Sequence, residues 1–326
     1  MTTALAHFRL LNPASVEEAL AAARSHPGSR YVAGGTDLLV NLRRGIGGAD
    51  ALIDLSGIGE MNRIDASAPG LVLGSMVGIA EIANDKRIAT QYTAVAEAAR
   101  AIAGPGHRAL ATLGGNLCLD TRCIYYNQSE WWRGANGFCL KHRGDVCHVA
   151  PQGQRCHAAY SGDLAPALLV LGAEVEIANS EGRRRIPLSE FYVEDGLAHL
   201  ALKPSEIVVA VHLPASPPAS TYMKVRQRGA VDFPLAGVAA SLAMKDGLIA
   251  TLSVAITGTN SRPLLLAGTD KLSGRAVDDK LLQNIDRLAQ KQVQPMRTTL
   301  ISSNYRRLAA AALAKRAVAK LAAAQA

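Results

Sequence analysis

The sequence predicts an α+β protein built from more than one subdomain, and three observations carry that expectation. Its 326 residues exceed what one ordinary core uses. Its composition, 49% hydrophobic against 19% charged, is that of a chain able to bury a core. Helices and strands mix in the first two thirds, and a run of strands then two helices close the chain. That order is α+β, not the regular alternation of a parallel sheet. No internal repeat is visible.

The elements follow in order. Ser15-Val-Glu-Glu18 reads as a capping box, the Ser15 hydroxyl bonding an amide one turn on while Glu18 reaches back, and opens a helix to about residue 25. A strand at 30–33 runs into Gly34-Gly35, followed by a helix at 36–44 and a strand at 51–55. A strand at 71–74, a short helix at 79–84 and a helix at 92–102 come next. Gly104-Pro-Gly106, the basic pair His107 and Arg108, and a second glycine turn, Thr112-Leu-Gly-Gly-Asn116, follow. Asp163 caps an apolar helix to 171, and 173–178 with 183–187 alternate as a hairpin. Beyond a strand at 207–213, residues 214–220 read as a linker. Strands at 221–228, 235–244 and 248–257 precede helices at 278–290 and 303–324, where Leu281, Leu282, Ile285 and Leu288 recur at helical spacing.

The formal charge of +8 belongs to one end of the chain. From Arg262 onward there are 12 basic and 4 acidic residues, which leaves 23 of each in the preceding 261. A nucleic-acid surface would join such cations with stacking aromatics, and only Tyr305 is present. A solvated face or an interface with an acidic partner is the better reading. No apolar run approaches the ~20 residues of a membrane span. The N-terminus, MTTALAHFRLLNP, lacks the basic start and apolar stretch of a signal peptide. A cytoplasmic chain is expected, and its five cysteines are then thiols, ligands or catalysts more than disulfides.

One stretch is foreign to its surroundings. Between Thr121 and Tyr160 lie six of the fourteen aromatics, both tryptophans among them, with Cys123, Cys139, Cys147, Cys156 and three histidines. It reads as an insertion. Four cysteines in 34 residues point to a metal site. The spacing, x15 then x7 then x8, does not choose among iron–sulfur, zinc and copper, all of which suit thiolate. Among these four cysteines the C-x₂₋₄-C pair of structural zinc and the C-x₂-C-x₂-C run of ferredoxins are both absent.

The glycine segments Val32-Ala-Gly-Gly-Thr-Asp37 and Thr112-Leu-Gly-Gly-Asn116 let the backbone approach a ligand and aim N–H groups at phosphate oxygens. A helix starting at Thr36 would add its dipole. Neither matches a dinucleotide fingerprint or a P-loop. Together with Ser-Gly-Asp-Leu-Ala-Pro-Ala-Leu-Leu and Tyr-Met-Lys, in that order, they resemble the FAD-binding medium subunit of the molybdenum hydroxylases, the xanthine dehydrogenase and carbon monoxide dehydrogenase group. The resemblance spans the chain except the insertion. It implies a two-subdomain FAD-binding fold of the PCMH (vanillyl-alcohol-oxidase) type, followed by a C-terminal domain of a three-stranded antiparallel sheet with helices. The divisions expected are 1–57, 58–217 with the insertion at about 121–161, and 218–326.

Carried over by position, the resemblance implies that Val32, Ala33, Gly34, Gly35, Thr36 and Asp37 hold the FAD diphosphate. Thr112, Gly115 and Asn116 form a second flavin-contacting loop, and Asp163 bonds the cofactor. Ile102 packs on the flavin, with Val208 and Lys224 near the isoalloxazine; ordinary core is the other reading of Ile102 and Val208. No residue of this chain is expected to act on substrate.

The insertion is the departure from the family pattern, with 46 positions between Asn116 and Asp163. A flavin subunit with four cysteines inserted here resembles the β subunit of the 4-hydroxybenzoyl-CoA reductases. That implies a [4Fe–4S] cluster on Cys123, Cys139, Cys147 and Cys156, with Cys118 a spare buried thiol and the aromatics a low-dielectric wrapper or, for Trp131 and Trp132, a docking patch. It also implies a ferredoxin-like donor, a [2Fe–2S] small subunit and a large subunit where molybdenum removes the phenolic hydroxyl. The alternative is an ordinary hydroxylase subunit with a structural zinc in the insertion.

Overall fold

The computed structural model describes residues 7–67 and 69–325. Residues 1–6, part of the N-terminus read above for a signal peptide, lie outside the described residues. Three sheets organise the chain. The first is parallel, order β1-β3-β2, with β1 (Arg9–Leu11), α1 (Val16–Ser25), β2 (Ser29–Val32), α2 (Leu38–Arg43) and β3 (Ala51–Asp54). Ser15 Oγ accepts from the Glu18 amide at 3.1 Å, as a cap should. Glu18 reaches back one residue further than the capping box implies, to the Ala14 amide at 2.7 Å. Val16, Ala19, Leu20 and Ala23 recur at helical spacing and bury against Ile53, Leu55 and Met61.

The second sheet is antiparallel, order β4-β5-β8-β6-β7, from β4 (Ile64–Asp65), β5 (Leu71–Gly74), β6 (Glu174–Asn179), β7 (Gly182–Pro187) and β8 (Ile207–Leu213). Its helices are α3 (Ile79–Asn84), α4 (Lys86–Gln91), α5 (Thr93–Ala101), α6 (Pro105–Leu110), α7 (Leu113–Leu117), α8 (Glu130–Ala135) and α9 (Leu164–Leu169). Two of these correct the sequence reading. Gly104-Pro-Gly106 is no open turn but the start of α6, with Pro105 at the first helical position, where its missing N–H costs nothing. The second glycine pair lies inside α7, whose cap is Thr112 accepting from the Gly115 amide at 3.2 Å.

In the third unit, β9 (Ala219–Val225), β10 (Ala236–Lys245) and β11 (Leu248–Thr257) pair antiparallel as expected. A two-residue strand, β12 (Leu264–Leu265), adds a fourth at the edge. From Ala236 to Leu242, β10 is buried and apolar but for Ser241, because both its faces are covered. Ala236, Val238, Ala240 and Leu242 meet α10 (Asp279–Gln292) and α11 (Ser303–Ala323), while Ala239 joins the core of the second unit. Among the described residues no helix is long and apolar enough to cross a membrane.

Candidate cofactor sites

Between the first two sheets opens a cleft of about 810 Å³, a size that suits a nucleotide cofactor. Its walls include Ala33, Gly34, Gly35, Thr36, Asp37, Ile102, Thr112, Gly115, Asn116, Asp163 and Val208. The two glycine segments, about eighty positions apart in sequence, therefore face one space. Gly34 is there for closeness: a Cβ on it would stand 1.7 Å from the Leu110 carbonyl oxygen, on the helix before the second segment. Gly35 is there for conformation, at φ +67°. Asn116 ties the second segment to α9, its side-chain oxygen accepting from the Leu164 amide at 3.1 Å.

Three expectations need correction. The helix after the first glycine pair begins at Leu38, not Thr36, and Asp37 sits at its N-cap position without a capping bond. Val32 is buried behind the loop and Lys224 stands behind Asp163, which its ammonium bonds, so neither lines the wall itself. Asp163 does not cap α9. Its carboxylate accepts instead from Tyr222 Oη at 2.5 Å and pairs with Lys224 Nζ at 3.0 Å. All three side chains are buried, and burial pushes Asp163 up and Lys224 down, each against the pull of the other. The pair pins β9 to the start of α9. Asp163→Ala strands a buried ammonium and is expected to cost about 3–5 kcal/mol of stability, read as a lowered denaturant midpoint.

Sequence reasoning missed Arg122, the first cation of the insertion. Its guanidinium donates to Asp37 in the first glycine segment, and stacks 4.6 Å over the Phe233 ring. Arg122 Nε and Asn41 Oδ1 are buried in this wall without a partner. Unmatched polar atoms of this kind fit a wall that receives a polar ligand. A lone Arg in an irregular loop carries no periodic signal.

The insertion closes at a neck where Arg122 and Ala159 exchange backbone hydrogen bonds of 2.7 and 2.8 Å. It is fastened to the first unit by Arg133, buried, which donates to the Gly45 carbonyl at 2.7 Å and to Glu130 at 2.5 Å. Inside it, Cys123, Cys139, Cys147 and Cys156 line one small enclosed space with Tyr125, Tyr126, Lys141 and His148. Cys118 is elsewhere, in the cleft wall, so the spare thiol and the four are spatially distinct. All five cysteines are free. Cys139 is held in a tight loop: its carbonyl accepts from His142 at 2.7 Å, and Phe138 and Arg143 on either side have φ of 59° and 62°. Such conformations cost ~1–2 kcal/mol per non-glycine residue.

Burial raises the Cys123 and Cys156 thiols to about 11. Thiols buried this way ionise when a metal takes the proton's place. The space between the four holds about 10 Å³, and among the described residues no three His, Cys, Asp or Glu side chains are grouped to hold a single metal ion. The thiols surround a gap; they do not meet at a point. The aromatic wrapper is narrower than expected, since Trp131 is 79% exposed and Tyr160 belongs to the main core.

His199, buried beside this region, bonds the Leu119 carbonyl at 3.0 Å, and burial then Lys141 push it down to about 4. The unfolded residue titrates near 6.5, so between pH 6.5 and 4 the unfolded chain binds the extra proton and stability falls as the pH is lowered. The loss is about 3 kcal/mol at pH 4, and none above pH 6.5. His199→Gln should flatten that limb in urea melts taken at pH 7 and pH 4.5.

Comparison with known proteins agrees with this geometry. Residues 6–216 match the family described as "FAD binding domain in molybdopterin dehydrogenase", and residues 220–321 the "CO dehydrogenase flavoprotein C-terminal domain". The aldehyde oxidoreductase FAD-binding subunit PaoB of Escherichia coli is 34% identical over 280 residues, 82% of this chain and 85% of its own. The carbon monoxide dehydrogenase medium chain of Afipia carboxidovorans is 25% identical over 95% of each chain. A crystal structure of the Cu,Mo-CO dehydrogenase superposes with a TM-score of 0.80 at 23% identity, covering 98% of this chain and 99% of that one, a likeness of fold. The chain belongs to the FAD-binding medium subunits of the molybdenum hydroxylase family, and is a flavoprotein subunit of an oxidoreductase.

Proposed function

We propose that this chain is an electron-transfer subunit carrying two cofactors, FAD in the cleft and a [4Fe–4S] cluster on Cys123, Cys139, Cys147 and Cys156. The observation that carries the second cofactor is that four cysteines spread over 34 residues line one enclosed space. An iron–sulfur cube takes one thiolate at each of four irons and a structural zinc takes four at one ion, so four cysteines on one space supply the ligand set of either, and the resemblance of the insertion supports the cube. Seating it requires the four side chains to turn outward from a gap of about 10 Å³. Tyr125, Tyr126 and Val149 would keep water from it.

On this reading Ala33 to Asp37 hold the diphosphate by backbone N–H groups, with Val32 supporting the loop from behind. Thr112, Gly115 and Asn116 form the second loop. Ile102 and Val208 pack on the ring system, and Asp163 with Lys224 braces the wall. The units divide at 1–57, 58–217 and 218–326. A flavin accepts one or two electrons and an iron–sulfur cluster one, which is the chemistry the two groups supply when bound. The partners are a [2Fe–2S] small subunit, a large subunit with the molybdenum cofactor, and a ferredoxin-like donor.

The reaction proposed for the assembly is reductive dehydroxylation of 4-hydroxybenzoyl-CoA to benzoyl-CoA, supported by the resemblance of the cysteine insertion. A second reading is oxidation of an aldehyde, favoured by the PaoB relative at 34% identity. Assay of the co-purified assembly separates them. Benzoyl-CoA formed from 4-hydroxybenzoyl-CoA with a reduced low-potential donor supports the first. Aldehyde oxidation with an electron acceptor, and no dehydroxylation, replaces it with the second.

A further inference from the structure

Lys141 lies in the wall between the two spaces, and the flavin family pattern gives it no role because it belongs to the insertion. Its side chain is 5% exposed. The ammonium donates to Asp120 Oδ1 at 2.7 Å, the Gly196 carbonyl at 2.9 Å, the Thr121 carbonyl at 3.3 Å, and the Thr121 hydroxyl. It also stands 4.8 Å from the centroid of the Tyr126 ring. Lys141 lines the cysteine space; Asp120 lines the flavin cleft; Tyr126 lines both. One aromatic ring thus forms a partition with a fixed cation on it.

Burying an ammonium is costly even with good partners, and a neutral donor would tie the same oxygens together more cheaply. Its compensating carboxylate, Asp120, is 32% exposed and therefore screened by water, whereas the ammonium is not. A second cation near Tyr126, the Arg133 guanidinium 5.8 Å from the ring, is paired with Glu130 at 2.5 Å. Both cations are more deeply buried than the carboxylates they pair with, 5% against 32% exposed for Lys141 and Asp120 and 2% against 47% for Arg133 and Glu130, so water screens the cations less than their partners. A metal–thiolate group gains one negative charge when it takes up one electron, so a fixed cation in a low-dielectric wall favours the reduced form.

We propose that Lys141 is a positioning residue for the cysteine site: its buried charge, fixed between the four thiols and the flavin cleft, holds the midpoint potential of the group bound there above the value the thiolates alone would set. The proposal rests on the cluster reading above. The test is an EPR-monitored redox titration of the co-purified assembly, with iron and flavin content measured on the same samples. Lys141→Gln keeps a hydrogen-bond donor and removes the charge; Lys141→Arg keeps the charge.

The expected result is that K141Q retains iron and FAD but shows at least a tenfold lower ratio of reduced to oxidised cluster at a given poise, ~59 mV more negative for a one-electron couple, while K141R stays near the unsubstituted value. An unchanged potential in K141Q with full iron overturns the proposal and leaves the cluster reading intact. Loss of iron in K141Q with full iron and unaltered potential in K141R also overturns it, since Lys141 then acts as a clamp. Absence of iron and sulfide from the unsubstituted assembly overturns both readings together.

Discussion

Gly34→Ala is expected to yield a protein that purifies without flavin. The added methyl would stand 1.7 Å from the Leu110 carbonyl oxygen and 2.5 Å from the Leu110 carbonyl carbon. Both are backbone atoms, so no side-chain rotation relieves the clash; one of the two walls of the cleft must move. The wall that moves carries either Ala33 to Asp37 or, two residues beyond Leu110, Thr112 to Asn116. Either displacement separates the segments that share the cofactor. A shift of this kind costs about 3 kcal/mol or more, which is a fall of over 100-fold in FAD affinity. Flavin fluorescence released from purified protein, and a titration of apoprotein with FAD, measure it. Gly48→Ala, where a Cβ meets nothing within 4 Å, is the matching control and should bind flavin normally.

Cys139→Ser is expected to do the opposite: lose the metal group and keep the flavin. Serine is smaller and harder, and its hydroxyl does not ionise at neutral pH, so one corner of a four-thiolate site is lost. Iron should fall to well under half of the unsubstituted value, with the FAD content unchanged. The reason for separability is architectural. The insertion closes on its own neck at Arg122 and Ala159, and its small core of Cys123, Tyr126, Cys156 and Ala158 takes Ile46 from the first unit. The route by which damage would spread is the set of contacts with the first unit, Arg122 to Asp37, Arg133 to the Gly45 carbonyl, and Ile46 in the small core. Loss of FAD together with iron in this variant would show that route to be in use, and would make the insertion a folding element of the flavin site.

Much of this was legible from residues alone. The helix at Ser15, the hairpin of β6 and β7, and strands β8 and β11 follow from caps and alternation, which are local. The glycine segments were legible because their chemistry is backbone chemistry, and glycine marks it directly. What failed were positions where a residue type has two uses. Asp163 precedes an apolar helix, as a cap would, but its carboxylate faces Tyr222 and Lys224 across sixty residues of sequence. Gly104 and Gly114 read as turns, although Pro105 and Thr112 are helix-start signals and prevailed. Trp131 reads as wrapper or docking patch, and at 79% exposed it is no part of a wrapper. Part of the basic C-terminus was also misjudged as surface. Arg306 is fully buried, donating to the carbonyls of Leu235, Gly258 and Met296, while Lys320 reaches Glu97 on α5. Arg122 and Lys141 were invisible for a different reason. Each acts from an irregular loop through partners distant in sequence, and no periodicity or spacing marks such a residue in advance.

The claim on which the account turns is that the cysteine insertion holds an iron–sulfur cluster beside the flavin. The direct measurement is iron, acid-labile sulfide and zinc content of the anaerobically purified full-length chain, with a low-temperature EPR spectrum after dithionite reduction. The account predicts about four iron and four sulfide per chain alongside one FAD, and a reduced-cluster signal. One zinc per chain with no sulfide and no signal would contradict it.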